Sequence, residues 1–301
     1  MKKYLKTKLF GILFVFTVSL AFFWMVFVKR YIPFPGDLLL TQYGPWRHQS
    51  YAGYVAGAIP SKDQYFDVIR ELYPWKTIVV NLIKNKQIPL WNPYNFSGAP
   101  LLANYQSQVF YPLTFLYYLF PQITAWAIMV ILQPVLGSIF MFLFTSEIGL
   151  SVGAATLAAL LFNFSSFASI WMEFTTVWHT ILWLPLLLYL VERGIKQKKF
   201  FLWQQLLFIF ALFSSITGGH PQDCINTFLF FCIYSVFRIF TTKDWNLQQK
   251  FLFLVNPVGI LTILSFGLAA PQLLPTIELF KNSARVTHDY SFILSNLIVQ
   301  V

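Results

Sequence analysis

The chain has 301 residues, of which 57% are hydrophobic and only 11% are charged, and its mean hydropathy is +0.62. Soluble domains are about one-quarter charged residues, so this composition excludes an ordinary soluble protein and favours a protein of the lipid bilayer. The net charge of +10 at pH 7 does not indicate nucleic-acid binding. The basic residues flank apolar segments instead of forming a basic stripe interleaved with exposed aromatics.

Charged residues are absent from long stretches such as 87–146, 200–222 and 251–277. A helix needs about 20 apolar residues to cross roughly 30 Å of hydrocarbon, and these runs lack the alternation of barrel strands. The sequence therefore predicts an all-α polytopic membrane protein with about seven transmembrane helices in a single domain. The predicted spans lie near residues 9–28, 122–146, 151–171, 176–192, 200–217, 223–240 and 251–273.

The positions of Lys and Arg predict the orientation of these spans. Four lysines precede the first span, and basic residues fill the short connections 192–199 and 238–250. Short cytoplasmic loops carry an excess of Lys and Arg, so the N-terminus is predicted to be cytoplasmic. The connections around Glu173 and Gly218 then face outward, as does the long loop 29–121.

This first outer loop differs in composition from the rest of the chain. Residues 65–86 alternate apolar and charged side chains, including Glu71 and Lys76 on the polar side, which predicts an interfacial amphipathic helix broken near Pro74. Residues 87–121 hold five prolines and no charge, so we expect a re-entrant or interface-hugging segment that is buried in protein where it enters the membrane.

Most acidic residues and all four histidines map to the predicted outer side. Their convergence predicts a polar cavity at the outer leaflet, walled by the long loop and the outer helix ends. The acidic residues are Asp37, Asp63, Asp67, Glu71, Glu173, Glu278 and Asp289, and the histidines are His48, His179, His220 and His288.

Two aspartates are catalytic candidates. Asp37 follows Pro35 and Gly36 close to the end of the first span, where a carboxylate can accept a proton from a membrane-borne substrate. A turn-capping role is the simpler alternative. Asp67 lies four residues after Asp63 and can instead belong to a solvated face, paired with Arg70.

Two imidazoles are candidates for binding a lipid-linked phosphate. His179 lies at the outer start of a predicted span, six residues after Glu173, and either residue can bind a phosphate-linked donor or a metal. A hydrogen-bonded packing role for His179 stays open. His220 and Gln222 follow a Gly-Gly pair at a predicted helix N-terminus, which suits an anion but also fits a simple turn.

Several strings resemble the bacterial YfhO-like membrane protein family, which is placed among the GT-C glycosyltransferases. The match runs from the first span to about Arg285 and includes the turn Gly218-Gly219-His220-Pro221-Gln222. The strings are Pro35-Gly36-Asp37-Leu38, Gln42-Tyr43-Gly44-Pro45-Trp46, Tyr73-Pro74-Trp75, Ile88-Pro89-Leu90-Trp91-Asn92-Pro93-Tyr94 and Gly98-Ala99-Pro100-Leu101-Leu102-Ala103-Asn104.

The resemblance implies inverting sugar transfer from a polyprenyl-phosphate donor to a cell-envelope acceptor, at the outer face of the bacterial cytoplasmic membrane. It implies that Asp37, with Asp67 as a second carboxylate, activates the acceptor hydroxyl, while His179, His220 or Gln222 meets the donor phosphate. A divalent cation (Mg²⁺ or Mn²⁺) is left open, with Glu173 and His179 as its candidate ligands. Residues expected to position the acceptor or the loop are Gln42, Tyr43, Trp91, Asn92, Asn104 and Gln106.

Two other functions are compatible with the sequence. A transporter or flippase for an envelope lipid or polymer is the first alternative. Transport favours ionisable groups or broken helices near the midplane, and the spans offer few candidates beyond Pro134 and Asn163. A non-catalytic assembly subunit is the second, because aromatic residues also concentrate at membrane boundaries. Since YfhO-like proteins are usually much longer, we expect this chain to be incomplete and its activity to depend on the missing part.

Overall fold

The computed structural model describes residues 2–50, 53–58 and 65–283, leaving aside the side chains of residues 2–5, 41 and 42. Within these ranges the fold is almost entirely helical. The helices are α1 (Lys2–Phe22), α2 (Trp24–Lys29), α3 (Leu39–Gln42), α4 (Tyr73–Lys84), α5 (Leu116–Leu119), α6 (Gln122–Glu147), α7 (Val152–Asn163), α8 (Ser166–Trp171), α9 (Val177–Ile181), α10 (Leu184–Gln197), α11 (Leu202–Thr217), α12 (Pro221–Thr241), α13 (Leu247–Phe253) and α14 (Ile260–Lys281).

Short elements connect these helices. Two antiparallel strands, β1 (Trp91–Asn92) and β2 (Ala99–Pro100), pair Trp91 with Pro100 and Asn92 with Ala99. Segments of π-helix precede α4 and join α13 to α14. The π-helical segments are Val68–Leu72 and Leu254–Gly259, and the 3-10 segments are Gly36–Leu38, Trp46–His48, Tyr105–Ser107, Pro112–Phe115 and Met172–Phe174.

Three helices of the described ranges are long and apolar enough to cross a membrane: Gln122–Glu147, Pro221–Thr241 and Leu247–Lys281. The count becomes four if Val152–Asn163 and Ser166–Phe174, which meet at a bend of 45°, form one span. The fold is therefore consistent with an all-α membrane protein. The seven spans predicted from the sequence are not confirmed.

The difference arises from breaks inside the apolar runs. Ser165 accepts a hydrogen bond from the amide of Ala168 and so starts a new helix within the predicted span 151–171. Pro185 stands in the first turn of α10, where it separates α9 from α10 within the predicted span 176–192. Because Ser and Pro interrupt helices without adding charge, the length of an uncharged run does not report the length of a helix.

The outer surface of α12 is suited to lipid. Its opposite face, including Phe231 and Ser235, is buried in the protein. Side chains four apart lie on one side of a helix, so the exposed apolar residues of α12 form a continuous stripe that water would solvate poorly. The members of this stripe are Ile225, Leu229, Ile233 and Phe237.

Helix α6 lies at the centre and packs against α1, α7 and α10. Its Gly137 allows a close approach to α7, because a Cβ there would lie 2.1 Å from Oδ1 of Asn163. That oxygen accepts a hydrogen bond of 3.0 Å from the indole of Trp178. The buried amide of Asn163 thus has a packing role, since its oxygen and nitrogen both bond inside the protein.

One end of the helix bundle, called the basic end below, is held by ion pairs. Glu147 at the end of α6 accepts contacts from Arg193 at 3.4 Å and Lys196 at 3.1 Å. Glu192, which is buried, binds the guanidinium of Arg238 from α12 through both oxygens. The three connections predicted to share one side of the membrane therefore gather at one end. Which side this end faces stays a prediction.

The long loop packs over the opposite end, called the loop end below. The predicted helix 65–86 is present but is not broken at Pro74, which lies in the first turn of α4 where proline is tolerated. Residues 87–121 are irregular, as expected, and their second half enters the protein. Its buried side chains include Leu101, Tyr105, Gln108, Tyr111 and Tyr117.

Replacement of Arg238 is expected to destabilise the basic end. In Arg238→Gln the buried Glu192 loses its charge partner, and breaking such a pair costs about 3–5 kcal/mol. Arg193→Gln removes a more exposed pair and should cost no more than about 1 kcal/mol. Thermal unfolding of the detergent-solubilised protein measures both, and equal melting temperatures of the two variants would contradict this assignment.

Candidate functional site

A cavity of about 320 Å³ opens at the loop end, between the long loop and the ends of α12 and α14. Its polar lining includes Glu71, Asn104 and Gln106, of which Asn104 and Gln106 were predicted to position an acceptor. The cavity has the size of a small-ligand pocket. The other lining residues are Trp75, Ala103, Tyr105, Pro221, Thr276, Leu279, Phe280 and Ser283.

The wall of this cavity from Leu102 to Gln106 is held by side chains of α14 and by its own turn. Gln272 donates to the carbonyl of Leu102 at 2.7 Å, and Thr276 donates to that of Ala103 at 2.9 Å. Asn104 caps the 3-10 turn that follows by accepting from the amide of Gln106 at 3.2 Å. The loop therefore presents Asn104 and Gln106 from a rigid backbone.

Glu71 is the carboxylate that faces this cavity, and the sequence interpretation assigned it no functional role. Partial burial raises the pKa of Glu71, and the neighbouring Asp67 raises it further, while Arg70 lowers it. A raised carboxyl pKa suits a group that takes up a proton during a reaction. The sequence did hold a signal for this raised pKa, namely the spacing of Asp67 and Glu71. Like charges four residues apart on a helix repel each other, which favours the protonated form of one of them.

Lys76 lies beneath the cavity with its amine in the protein interior, 2% exposed. The ammonium group donates to the carbonyl of Ser107 at 3.0 Å and to side-chain oxygens of Gln108 and Thr114, each at 3.3 Å. The sequence interpretation placed Lys76 on the polar side of the amphipathic helix, and that placement is wrong. Its aliphatic stem follows the buried face of α4, and neutral oxygens satisfy its head group.

Gln108 connects the loop to two helix ends. Its amide nitrogen donates to the carbonyl of Thr175, at 2.9 Å, and to that of Gly218, while its oxygen accepts from Lys76. Gly219 has a φ of +103°, and a Cβ at this residue would lie 2.6 Å from Cγ of Gln108. Gly219 is therefore required for the loop to approach this closely, whereas a Cβ at Gly218 would meet Thr180 of α9, 2.7 Å from its hydroxyl oxygen.

His220 and Gln222 lie beside the cavity but not in its lining, whereas Pro221 between them is part of it. Nδ1 of His220 lies 2.8 Å from a carboxylate oxygen of Asp223, and Gln222 is exposed. This acidic partner reduces the attraction of the α12 N-terminus for an anion. The simple turn interpretation is thus favoured for His220, and its role towards a donor phosphate stays a prediction.

His179 is fully buried. Its Nε2 lies 2.9 Å from the carbonyl of Met129 and must carry the proton, and its Nδ1 lies 2.7 Å from the hydroxyl of Tyr111. Because both nitrogens are engaged inside the protein, the structure favours the packing alternative. Glu173 lies in the 3-10 turn Met172–Phe174, and residues 2–50, 53–58 and 65–283 contain no group of three His, Cys, Asp or Glu side chains that could hold a metal.

Other predicted site residues lie outside the cavity lining. Asp37 accepts a hydrogen bond of 2.9 Å from the hydroxyl of Tyr54, and Asp67 is exposed next to the cavity carboxylate. Asn92 is buried and caps a turn by accepting from the amide of Tyr94. Tyr43 and Trp91 are exposed, Gln42 ends α3 with a side chain that is not described, and Asp63, His288 and Asp289 lie outside the described residues.

Comparisons with models of protein families, with curated proteins and with solved structures give no match to this chain. The resemblance to the YfhO-like family therefore rests on the motifs of the sequence alone.

The burial of Lys76 predicts a pH-dependent stability. Desolvation lowers the pKa of Lys76 from 10.5 to about 7. Between these values the unfolded chain binds more protons than the folded one, so stability rises with pH, by up to about 1.4 kcal/mol per pH unit. We expect the melting temperature of the wild type to rise relative to Lys76→Met between pH 7 and pH 9.

Thermal unfolding in detergent at pH 6, 7, 8 and 9 measures this difference. Lys84→Met is the matched control, because Lys84 is an exposed lysine of the same helix. This control should keep the wild-type dependence on pH. If the melting temperatures of the wild type and Lys76→Met changed in parallel with pH, the amine of Lys76 would be hydrated and the prediction would be wrong.

The Gly218-Gly219 turn gives a second expected outcome. In Gly219→Ala, the added methyl group meets Gln108 and the positive φ is strained, so we expect a loss of about 1–3 kcal/mol. Gly153→Ala is the control, since a Cβ there meets nothing within 4 Å and alanine favours the helix. Melting temperatures compare the two variants, and equal values would rule out a close contact at Gln108.

Proposed function

We propose that this protein is a GT-C-like glycosyltransferase of a bacterial cytoplasmic membrane, moving a sugar from a polyprenyl-phosphate donor to a cell-envelope acceptor. In this proposal the chain has seven spans, a cytoplasmic N-terminus and an outward-facing loop end. The cavity at the loop end is the acceptor site. The protein binds a lipid substrate within the bilayer and does not bind nucleic acid.

The observation that carries the proposal is the convergence of a carboxylate and two side-chain amides in one cavity. Glu71, Asn104 and Gln106 line it together. Side-chain amides both donate and accept hydrogen bonds and a carboxylate accepts them, which is what recognition of a sugar or another polyhydroxylated acceptor requires. The exposed apolar stripe of α12 supports a substrate that arrives through lipid.

The proposed reaction is a single displacement. A carboxylate accepts the proton of the acceptor hydroxyl, whose oxygen forms a bond to the anomeric carbon from the side opposite the phosphate. The bond between the anomeric carbon and the phosphate oxygen breaks, and polyprenyl phosphate leaves with the electron pair. The configuration of the anomeric carbon is inverted. No step requires a metal ion, and Mg²⁺ or Mn²⁺ stays an open possibility.

We assign the base to Glu71 because it faces the cavity with a raised pKa. The family resemblance assigns this role to Asp37, with Asp67 as a second carboxylate, and both residues precede Glu71 in the same loop. Phe34 contacts Tyr73 and Trp126, with ring centroids 5.0 and 5.7 Å away, so the segment containing Asp37 also lies at the loop end. One assay of sugar transfer can therefore compare Glu71, Asp37 and Asp67 as candidates for the base.

Sugar transfer from polyprenyl-phosphate hexose to envelope glycans or lipids tests the function. We expect Glu71→Gln to lower the turnover number roughly 100- to 10,000-fold, the usual contribution of a general base. Asp67→Asn should change it less, by altering the pKa of Glu71. The matched control is Asp244→Asn, a residue of the connection between α12 and α13 at the basic end, which should keep the wild-type turnover.

The outcomes separate the assignments. Loss of turnover in Asp37→Asn with full activity in Glu71→Gln would return the base role to Asp37. Absence of transfer with every donor and acceptor would overturn the enzyme, and substrate flux in liposomes would then favour the transporter.

A further inference from the structure

A second cleft, of about 570 Å³, lies at the basic end and is separate from the cavity at the loop end. It is formed where α10 ends, α11 begins and α13 passes through the π-helical segment into α14. Its lining combines lysines and side-chain amides with aromatic and aliphatic side chains. The lining residues are Lys198, Lys199, Phe200, Gln205, Trp245, Gln249, Leu252, Phe253, Asn256, Pro257, Ile260 and Leu261.

The charge of this cleft is not neutralised within the protein. Lys198 and Lys199 are exposed, and in the parts of the chain that the structure describes neither forms a salt bridge. Two carboxylates of this end are engaged elsewhere, Glu147 with Arg193 and Lys196, and Glu192 with Arg238, while Asp244 is exposed next to Trp245 in the connection between α12 and α13. Nζ of Lys199 lies 4.6 Å from the ring centroid of Phe201, a contact that leaves its charge unneutralised. Both positive charges are therefore available to an anion.

The two lysines are held on a defined backbone. Lys198 ends α10 in the left-handed conformation, with φ +57°. Its amide donates to the carbonyl of Ile195, and the amide of Lys199 donates to that of Gly194, each at 3.2 Å. These bonds close the last turn of the helix, so the ammonium groups extend from a fixed point beside the cleft.

The rest of the cleft is apolar and continues into a neighbouring groove. Phe200 and Phe253 are buried at its base, with ring centroids 5.5 Å apart. The neighbouring groove, of about 440 Å³, lies between α12 and the π-helical segment, is almost wholly apolar and shares Ile260 with the cleft. Asn256 of the π-helical segment adds an amide to the lining of the cleft. Charged groups and amides thus share the cleft with apolar side chains, and an apolar groove borders it.

We propose that this cleft binds an acidic phospholipid. The lipid phosphate lies against Lys198 and Lys199, with Gln249 and Asn256 as hydrogen-bond donors to the head group, and the acyl chains follow the wall that includes Leu252 and Ile260. Basic pockets between transmembrane helices recognise anionic lipid head groups in this way. A zwitterionic lipid has the same chains but no net negative charge, so it lacks the feature that the lysines recognise.

Native mass spectrometry of the purified protein in detergent tests this site by titration with phosphatidylglycerol and with phosphatidylcholine of the same acyl chains. We expect the wild type to bind phosphatidylglycerol about tenfold more tightly, given the attraction of two lysines for an anionic lipid. Lys198→Gln combined with Lys199→Gln should abolish this preference. The matched control combines Lys84→Gln with Lys86→Gln, which removes the same charge at the end of α4, and this variant should keep the preference.

A second variant tests the apolar part without changing the charge. Ile260→Trp fills the wall shared by the cleft and the groove and should weaken the binding of both lipids while both lysines are retained. Equal affinities for the two lipids in the wild type, or an unchanged preference in the double lysine variant, would overturn the proposal. Complete displacement of phosphatidylglycerol by millimolar inorganic phosphate would also overturn it, because the site would then recognise a free anion.

Discussion

The side-chain amide of Gln108 is the interaction on which the loop end depends. An irregular segment inside a membrane protein brings backbone and side-chain polar groups into a place without water, and each must find a partner in the protein. Gln108 binds the carbonyls of Thr175 and Gly218 and accepts from Lys76, so one residue joins the loop, α4 and two helix ends. The cavity lined by Glu71 and Asn104 exists because the loop is seated in this way.

The two ends of the bundle differ in the way they use charge. At the basic end, Glu147 and Glu192 neutralise three cationic residues and bring α6, α10 and α12 together, while Lys198 and Lys199 are left for a ligand. At the loop end a single amine is buried among neutral oxygens, and a carboxylate faces a cavity. An anionic ligand is therefore favoured in the cleft at the basic end, and a neutral, hydrogen-bonding acceptor in the cavity at the loop end.

The sequence predicted much of the helical framework, whereas its assignment of site residues stays a prediction. The apolar run 122–146 matches α6 almost residue for residue, and the proline-rich stretch 87–121 is irregular as expected. Asn104 and Gln106 line the cavity, and their role towards an acceptor stays a prediction. His179 does not line it, and Tyr111 and Met129 bond to its two nitrogens. These partners are 68 and 50 residues away in the chain, so no local pattern could indicate them.

The sequence by itself determined that the chain suits a lipid environment, and it determined which segments are helical and which are irregular. These properties depend on the hydrophobicity and charge of each stretch, independently of the other stretches. An all-helical, lipid-suited chain with an irregular loop follows from that. The depth of Lys76, the orientation of Glu71 and the assembly of the lysine-lined cleft were decided only by the tertiary structure. Each depends on which groups from distant segments are present to accept a hydrogen bond or to exclude water, and that is a property of the packed molecule.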